Sequence, residues 1–231
     1  METVPGINTC TVGNDKLDCF RELTPEQRKL VDENLVEILF KKGENICKQG
    51  SFASHIMVMK KGLAKIYIEG SGEELILKIL PAVNIIGLPF LAEGNSHFHY
   101  SAKAYLDSTI QIIDINIIRK IIQENSSFAA KIINLMGENN IITYGRFFCL
   151  TKKQTYGRLA DILLCLAFRV YKEKSFPLDL TRKELAELAN MSLETSTRIL
   201  TKFKADKLIT IKDGMVNILD PDRLTVISNN G

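Results

Sequence analysis

The stretch Thr181–Lys204 constrains this chain most, because it reads as two short helices joined by a tight turn. Thr181 followed three residues later by Glu184 is a capping-box pattern, which predicts the start of the first helix. Asn190 tolerates the left-handed backbone of a sharp turn, and Ser192 is a favoured N-cap for a second helix. The pattern therefore predicts a helix-turn-helix.

The second predicted helix has an apolar side and a polar side, since positions i, i+3, i+4 and i+7 share one face of a helix. An exposed polar face can be ordinary solvated surface. It can also read bases, since arginine bonds guanine bidentately and glutamate accepts from cytosine. The predicted core positions are Leu193, Ile199, Leu200 and Phe203, and the predicted exposed positions are Glu194, Thr197, Arg198 and Thr201.

The segment after this helix favours the base-reading interpretation. Leu208–Lys212 and Met215–Ile218 are β-rich runs around Asp213-Gly214, a dipeptide typical of a hairpin turn. A helix-turn-helix followed by a hairpin is a winged module. From Thr151 onward the chain has 14 basic and 10 acidic residues, within a net charge of +3 for the whole sequence. This local excess of positive charge agrees with phosphate binding.

Composition predicts a globular chain of one or two domains, with 231 residues of which 45% are hydrophobic and 25% charged. No apolar run approaches the ~18 residues of a membrane helix. The opening METVPGINTC lacks the regions of a signal peptide. We therefore expect a cytoplasmic protein without a membrane partner. Widely scattered cysteines predict reduced thiols rather than a disulfide framework; they are Cys10, Cys19, Cys47, Cys149 and Cys165.

The spacing of apolar residues changes along the chain, from a pattern typical of strands to one typical of helices. After a polar N-terminal arm, Thr24-Pro25-Glu26 predicts a helix start. From about Val36 to Ile115, short β-rich runs alternate with glycine turns, which predicts a sandwich or jelly-roll barrel. A long helix is predicted from about Asn125 to Leu150, and another from Tyr156 to Tyr171.

Apolar or small side chains recur along the long helix at nearly the spacing of a coiled-coil seam. These side chains pack either on the β domain of the same chain or against a second copy of the helix in a parallel dimer. In the dimer, Asn140 would be a polar position that sets the register of the two helices. The dimer is preferred, because two-fold readers of DNA need recognition helices about one DNA turn apart. The predicted seam residues are Ile133, Met136, Asn140, Thr143 and Phe147.

The glycine punctuation, long helix and winged module together resemble the CRP/FNR family of bacterial transcription regulators over essentially the whole chain. This resemblance implies an α+β fold with an N-terminal cyclic-nucleotide-binding-like β-roll (residues 1–124), a dimerisation helix (125–150) and a C-terminal winged helix-turn-helix (151–231). It also implies a homodimer on a palindromic site in double-stranded DNA, with RNA polymerase as a further partner. The matching segments are Lys42-Gly43-Glu44, Gln49-Gly50, Lys61-Gly62, Gly72-Glu73-Glu74, Gly87, Gly157-Arg158-Leu159-Ala160 and Ser192–Leu200.

By the same resemblance, Arg198 is expected on guanine and Glu194 on cytosine. The segment is more similar to FNR-type than to CRP-type readers, because Leu193 replaces an arginine and Thr197 replaces a glycine of the CRP type. The predicted DNA-binding residues are Thr181, Ser192, Glu194, Thr197, Arg198, Thr201 and Lys202.

The effector of the implied β-roll is not identified by the sequence. Nucleotide-binding members carry a glutamate after the cassette glycine and a later Arg-Ser pair, in which the arginine neutralises the phosphate. Here Leu88, Phe98 and His99 stand at those positions, and Val83 replaces an upstream glycine. We therefore expect a more apolar pocket and no cyclic AMP. The predicted pocket residues are Gly87, Leu88, Phe98, His99, Thr143 and Tyr144.

The cysteines and histidines bear on an iron–sulfur cluster, a metal and a haem. Iron–sulfur members use closely spaced N-terminal cysteines and a later one, whereas this chain has only Cys10 and Cys19 there and Gln111 at the later position. No cluster is therefore expected. His97 and His99 would share one face of a strand and could hold a metal or haem, as in a cupin-like metalloenzyme. The carboxylate and third histidine of such a site are missing, so no metal site is predicted.

The sequence also lacks the phosphate-loop, nucleophile-elbow and HExxH motifs, so no catalytic residue is predicted. The cupin-like enzyme, haem binding and a DNA-binding protein without an effector stay as alternatives. If an effector gates DNA binding, we expect the helices to reorient around Lys152-Lys153-Gln154, with Thr151 capping the second one.

Overall fold

The computed structural model describes residues 9, 10, 12 and 17–231, so the predicted N-terminal arm lies partly outside the described residues. These residues form two compact units. The β-roll unit contains Lys78–Asn140 and the described part of Gly13–Glu73, and the C-terminal unit contains Ile141–Gly231, Glu74–Leu77 and the described residues up to Val12. The boundaries expected after residues 124 and 150 stay predictions.

The β-roll unit contains two four-stranded sheets, ordered β1-β8-β3-β6 and β2-β7-β4-β5. Inward side chains such as Met59, Ile79 and Ile110 are fully buried, which confirms the predicted jelly-roll. The strands are β1 (Leu35–Phe40), β2 (Asn45–Cys47), β3 (His55–Lys61), β4 (Leu63–Gly70), β5 (Glu73–Pro81), β6 (Ile85–Ile86), β7 (Ser101–Ala104) and β8 (Ser108–Asp114).

Glycine is required where the strands turn most tightly. Gly62 links β3 to β4 with φ +105°, and a Cβ there would lie 2.7 Å from the Cα of Ser108. Ser71 and Gly72 both have positive φ between β4 and β5, as a type I′ hairpin turn demands.

Helices precede and follow the strands of this unit. A 3-10 helix covers Leu17–Glu22, and α1 (Pro25–Glu33) begins at Thr24, which forms a capping box with Gln27. The helix α2 (Ile115–Glu124) was not predicted, since a run of isoleucines also fits a strand. Its N-cap Asp114 is the signal that identifies it. The predicted long helix is α3 (Ser126–Lys152).

The C-terminal unit contains the predicted helix-turn-helix and hairpin. Its three-stranded sheet has the order β10-β11-β9. The short strand β9 and the helix α7 were not predicted, although Asp220-Pro221 is a good helix start. The elements are α4 (Thr155–Cys165) running into a π-helical turn (Leu166–Tyr171), β9 (Ser175–Pro177), α5 (Arg182–Leu188), α6 (Leu193–Ala205), β10 (Ile209–Lys212), β11 (Met215–Ile218) and α7 (Pro221–Asn230).

Two further points concern the helices. Thr151 does not cap α4, because Gln154 occupies the N-cap position and the Thr151 hydroxyl donates to the Phe147 carbonyl inside α3 at 2.9 Å. The prediction was wrong because α3 continues two residues further than expected.

Across the part of the chain that the structure describes, no helix has the length and apolar character needed to cross a membrane.

Candidate nucleic-acid interface

Local capping fixes the α5–turn–α6 motif. The Thr181 hydroxyl accepts from the Glu184 amide at 3.1 Å, and the Glu184 carboxylate accepts from the Thr181 amide at 2.6 Å. Asn190 adopts φ +50° in the turn. The Ser192 hydroxyl accepts from the Thr195 amide at 3.1 Å and starts α6. The predicted helix-turn-helix is therefore present with the predicted caps.

Two arginines that sequence reasoning did not assign to the motif hold the end of α5. Arg158 donates from Nε to the Ala189 carbonyl at 2.9 Å and from Nη2 to the Asn190 carbonyl at 3.0 Å. Arg146 donates from Nη2 to the Leu188 carbonyl at 2.8 Å. These bonds satisfy carbonyls that a helix C-terminus leaves without a partner. Both arginines are distant in sequence from α5, so no spacing within the motif identifies these contacts, although Arg158 lies in the family-like segment Gly157-Arg158-Leu159-Ala160.

The helix α6 buries one side against the C-terminal unit. Ile199, Leu200 and Phe203 are buried as predicted, and the Phe203 ring meets Tyr156 edge-on at 5.9 Å. Leu193 was predicted in the core but is 49% exposed. It is the first residue of α6, before the helix reaches the buried face.

The opposite side of α6 carries the predicted reading residues, and all of them are exposed. Thr197 and Thr201 donate their hydroxyls to helix carbonyls one turn back, at 2.8 and 3.0 Å. The Lys202 ammonium lies 3.0 Å from the Asp206 carboxylate. The exposed predicted residues are Thr181, Ser192, Glu194, Thr197, Arg198, Thr201 and Lys202.

The predicted wing is also present. Strands β10 and β11 pair antiparallel from Ile209–Ile218 to Lys212–Met215. Asp213 and Gly214 have φ of +51° and +74°, which is the two-residue turn that the sequence predicted. Together α5, α6 and this hairpin form the candidate nucleic-acid interface.

The residues predicted for an effector pocket divide into two groups. Gly87 (φ +110°) donates its amide to the Tyr100 hydroxyl at 3.0 Å, and Leu88 and Phe98 are buried. Thr143 and Tyr144 are exposed on the part of α3 that belongs to the C-terminal unit. The Gly87 amide is thus engaged by the Tyr100 hydroxyl, and the side chains of Leu88 and Phe98 offer no polar partner beside it.

A cleft of about 350 Å³ in the β-roll unit lies elsewhere, and no predicted pocket residue lines it. It combines apolar walls with guanidinium groups. Its lining residues are Phe20, Arg21, Arg28, Val31, Asp32, Leu35, Val58, Gln111 and Ile113.

The histidine pair is not arranged as a metal site. His97 and His99 lie before β7 rather than within a strand. The His97 ring bonds the Ser96 hydroxyl at 2.9 Å, and the His99 ring bonds the Asn95 side chain at 3.2 Å. Within the described residues, no group of three histidine, cysteine or acidic side chains could hold a metal ion.

The cysteines differ from the prediction of reduced thiols. Cys10 and Cys165 form a disulfide in the C-terminal unit, with a Cα–Cα distance of 5.7 Å. The prediction failed because these residues are 155 positions apart, and sequence spacing does not report a contact of that kind. Cys19, Cys47 and Cys149 are buried thiols. Burial raises the pKa of Cys47 to about 12 and also raises the pKa of Cys149.

The predicted seam of α3 is largely exposed. Ile133 and Phe147 are 67% and 70% exposed, and their neighbours Ile141 and Tyr144 are 60% and 68% exposed. Asn140 and Thr143 are exposed and Met136 is partly buried. The helix therefore presents large apolar side chains to solvent in a single chain.

Two family models match the chain. A model described as the cyclic nucleotide-binding domain matches residues 37–125, and a Crp-like helix-turn-helix domain matches residues 157–227. The first match covers the strands of the β-roll, and the second covers the candidate nucleic-acid interface.

Known proteins match over most of the chain. Electron transport regulator A from Shewanella oneidensis is 27% identical over 194 residues, or 82% of this chain and 77% of that protein. The fumarate and nitrate reduction regulatory protein from Salmonella typhimurium is 23% identical over 194 residues, with the same shares of 82% and 77%. The structure of FixK2 from Bradyrhizobium japonicum shares the fold with a TM-score of 0.76 and 17% identity, covering 84% of this chain and 96% of that chain. Because a cyclic nucleotide-binding domain model is followed by a Crp-like helix-turn-helix model and these regulators match over most of the chain, the chain belongs to the CRP/FNR family of transcription regulators.

Proposed function

We propose that this chain regulates transcription by binding a palindromic DNA site as a homodimer, with one α6 in the major groove of each half-site. The observation that carries the proposal is that α6 is buried on one face and exposed on the other. Ile199, Leu200 and Phe203 pack inside, whereas Glu194 and Arg198 are exposed. A rigid helix with an exposed charged face is the element that the major groove admits.

Base recognition is assigned to the exposed face of α6. Arg198 donates to the O6 and N7 acceptors of a guanine, and Glu194 accepts from the amino group of a cytosine. Thr197 and Thr201 already donate their hydroxyls to helix carbonyls. They therefore offer methyl groups, which suit the thymine methyl. The exposed Leu193 offers another apolar contact of the same kind.

Phosphate contacts are assigned to the start of α6 and to Lys202. A helix N-terminus favours anions through its unpaired amides and its dipole, and Ser192 lies at this end. In the Lys202–Asp206 pair the lysine is exposed and the aspartate is half-buried, and ion pairs near the surface contribute little stability. Lys202 can therefore exchange Asp206 for a phosphate. Thr181 is the exposed N-cap of α5, and its hydroxyl hydrogen can still donate to a phosphate.

Dimerisation is assigned to α3. The exposed side chains of Ile133, Ile141, Tyr144 and Phe147 recur along this helix, and large apolar side chains in a row mark an interaction surface. A second copy of α3 would cover them and bring two α6 helices to half-sites about one DNA turn apart. Asn140 lies in the same exposed row.

RNA polymerase as a further partner and a cytoplasmic location follow from this role. Matched relatives include a protein named transcriptional activator protein Anr, from Pseudomonas protegens. This role does not involve a cyclic nucleotide at Gly87, because the Gly87 amide is engaged by Tyr100 and Leu88 is buried.

The proposal is tested by selecting binding sites from a randomised duplex library with purified protein. The expected consensus is two-fold symmetric and contains a G·C pair in each half-site. Arg198→Ala should lose the preference at that pair at a cost of about 1–3 kcal/mol. Lys202→Ala should weaken binding to all sequences and lower the salt dependence by about one charge.

Arg223→Ala is the matched control, because Arg223 is an exposed arginine on α7 outside the candidate interface. It should keep the wild-type consensus and affinity. If Arg198→Ala retained both the consensus and the affinity, α6 would not be the reading helix. If the wild-type protein selected no sequence, the proposed function would be wrong.

A further inference from the structure

The disulfide between Cys10 and Cys165 joins the N-terminal segment to the helical part of the C-terminal unit. Cys165 is the last residue of α4 and is 5% exposed, whereas Cys10 is half-buried. The π-helical turn that follows Cys165 leads towards the helix-turn-helix. The bond therefore anchors a distant segment at the helix that precedes the candidate nucleic-acid interface.

The residue beside this disulfide completes a buried polar cluster. The Thr9 hydroxyl accepts from the Lys153 ammonium at 2.7 Å. The same ammonium donates to the Ser228 hydroxyl at 3.1 Å and lies 3.5 Å from the Asp161 carboxylate. Lys153 stands between α3 and α4, Asp161 lies in α4, and Ser228 lies in α7. Holding Thr9 in place therefore keeps the junction of α3 and α4 covered.

A disulfide in a DNA-binding protein needs an explanation from the redox state of the compartment that holds the DNA. Compartments that hold bacterial DNA keep thiols reduced, and disulfides that form there are usually transient and redox-sensing. Cys19, Cys47 and Cys149 are buried thiols, and burial raises the pKa of Cys47 and of Cys149, which disfavours the thiolate that exchange requires. Among the described cysteines, the Cys10–Cys165 pair is therefore the one placed for exchange.

We propose that Cys10 and Cys165 form a thiol–disulfide switch that sets the affinity of this chain for DNA. This inference rests on the proposed function and adds its regulation. The signal it senses is the redox state of the cell, delivered by a dithiol reductant on one side and by a peroxide or a low-molecular-weight disulfide on the other.

The exchange begins at Cys10, the more accessible sulfur. A reductant thiolate attacks the Cys10 Sγ, the Cys10–Cys165 bond breaks, and Cys165 leaves as a thiolate that takes a proton. The second thiol of the reductant then displaces Cys10 and closes the reductant's own disulfide. The protein gains two electrons and two protons. In the reverse direction the pair gives these to the peroxide or to the small disulfide.

The two states differ in what covers the α3–α4 junction. In the disulfide state Thr9 is held against Lys153. In the dithiol state Thr9 is no longer fixed by its neighbour, so water reaches Lys153 and Asp161 and the junction loosens. The α4 residue Tyr156 packs on Phe203 of α6, so loosening α4 also loosens the reading helix. The disulfide state is therefore the tighter DNA binder.

The experiment compares full-length protein treated with dithiothreitol and with oxidised glutathione. Peptide mapping by mass spectrometry identifies which cysteines are linked, and fluorescence anisotropy measures affinity for the site selected by the wild-type protein. The disulfide form should bind about fivefold tighter or more, the lower end of common coupling between two states. This difference should vanish in Cys10→Ser and Cys165→Ser and persist in the control Cys47→Ala.

The outcomes separate the two proposals. Equal affinity of the two states, or tighter binding by the dithiol form, would overturn the switch while leaving DNA binding intact. A linkage that mapped to other cysteines would also overturn it. If Cys165→Ser fails to fold, Cys10→Ser at the half-buried position carries the same test. If neither state of the wild-type protein binds any duplex, the proposed function fails and the switch fails with it.

Discussion

Replacing Arg146 tests whether a buried guanidinium stabilises the C-terminal unit. Arg146 is 2% exposed, and it donates from Nε to the Ile76 carbonyl at 2.9 Å and from Nη2 to the Leu188 carbonyl at 2.8 Å. Among the residues that the structure describes, its buried Nη1 finds no hydrogen-bond partner. Burial lowers the pKa of Arg146, because the charged form loses its hydration. The residue thus combines two good bonds with a desolvated charge.

Arg146→Met removes the charge and keeps a long side chain. The two carbonyls then lose their donor, at about 1–3 kcal/mol for each buried polar group left unsatisfied. Relief from burying the charge offsets part of this loss, since the effective penalty for a buried ion is several kcal/mol. The two lost bonds, together about 2–6 kcal/mol, should exceed this relief and leave a net loss of about 1–2 kcal/mol in the free energy of unfolding. Arg146→Lys should fall between Met and the wild type, because an ammonium cannot span both carbonyls as a planar fork does.

The assay is urea unfolding followed by circular dichroism, with Arg169→Met as the control. Arg169 is exposed in the same unit, and surface substitutions are usually within about 0.5 kcal/mol of the wild type. If Arg146→Met were as stable as the wild type or more stable, desolvation would outweigh the two hydrogen bonds. The argument that Arg146 secures the end of α5 would then be wrong.

Three further predictions concern turns, charge and assembly. Gly62→Ala should lower the stability of the protein in thermal unfolding by about 2–4 kcal/mol, because φ is positive there and the added Cβ overpacks against Ser108. Gly50→Ala has a positive φ but open space around it, so it should cost less. Equal losses of stability in the two variants would refute the clash with Ser108. Hydrogen bonds from Lys41 and from the Lys42 amide lower the pKa of Asp107. The contribution of Asp107 to folding stability is therefore present above its unfolded pKa of about 3.9 and is lost as pH falls through the lower folded value. Asp107→Asn should remove this acid-dependent step in Tm, and an unchanged pH profile would contradict the prediction. Phe147→Ser should shift the proposed dimer towards monomer in sedimentation, whereas Glu138→Ser, exposed on the same helix, should not. A fully dimeric Phe147→Ser variant would place the dimer interface elsewhere.

The features that the sequence predicted correctly depend on neighbouring residues. Thr181 and Ser192 cap helices within three residues of themselves, and Asn190 and Gly214 turn the chain at their own positions. These contacts join residues that are close in sequence, so the spacing of the residues is enough to identify them. The order of glycine turns along the β-roll likewise carried the resemblance to the family.

The features that the sequence did not predict depend on distant residues or on competing patterns. Arg146 meets Leu188, and Cys10 meets Cys165, across long stretches of chain. Neither contact leaves a periodic signal. Leu193 was assigned to the core by its apolarity, but its position at the first turn of α6 leaves it in solvent. Apolar character predicts burial only where the helix face is already fixed by packing.

The hydrogen bond between Gly87 and Tyr100 has a consequence for any anion that approaches this turn. The Tyr100 hydroxyl is tethered to the same chain, so it competes for the Gly87 amide at the high effective concentration of an intramolecular partner. An anion from solution must displace it before gaining that amide. Replacing the hydroxyl by hydrogen in Tyr100→Phe removes this internal competitor. Phosphate binding at the Gly87 amide is therefore opposed by the Tyr100 hydroxyl, and the apolar side chains of Leu88 and Phe98 offer the phosphate no compensating charge.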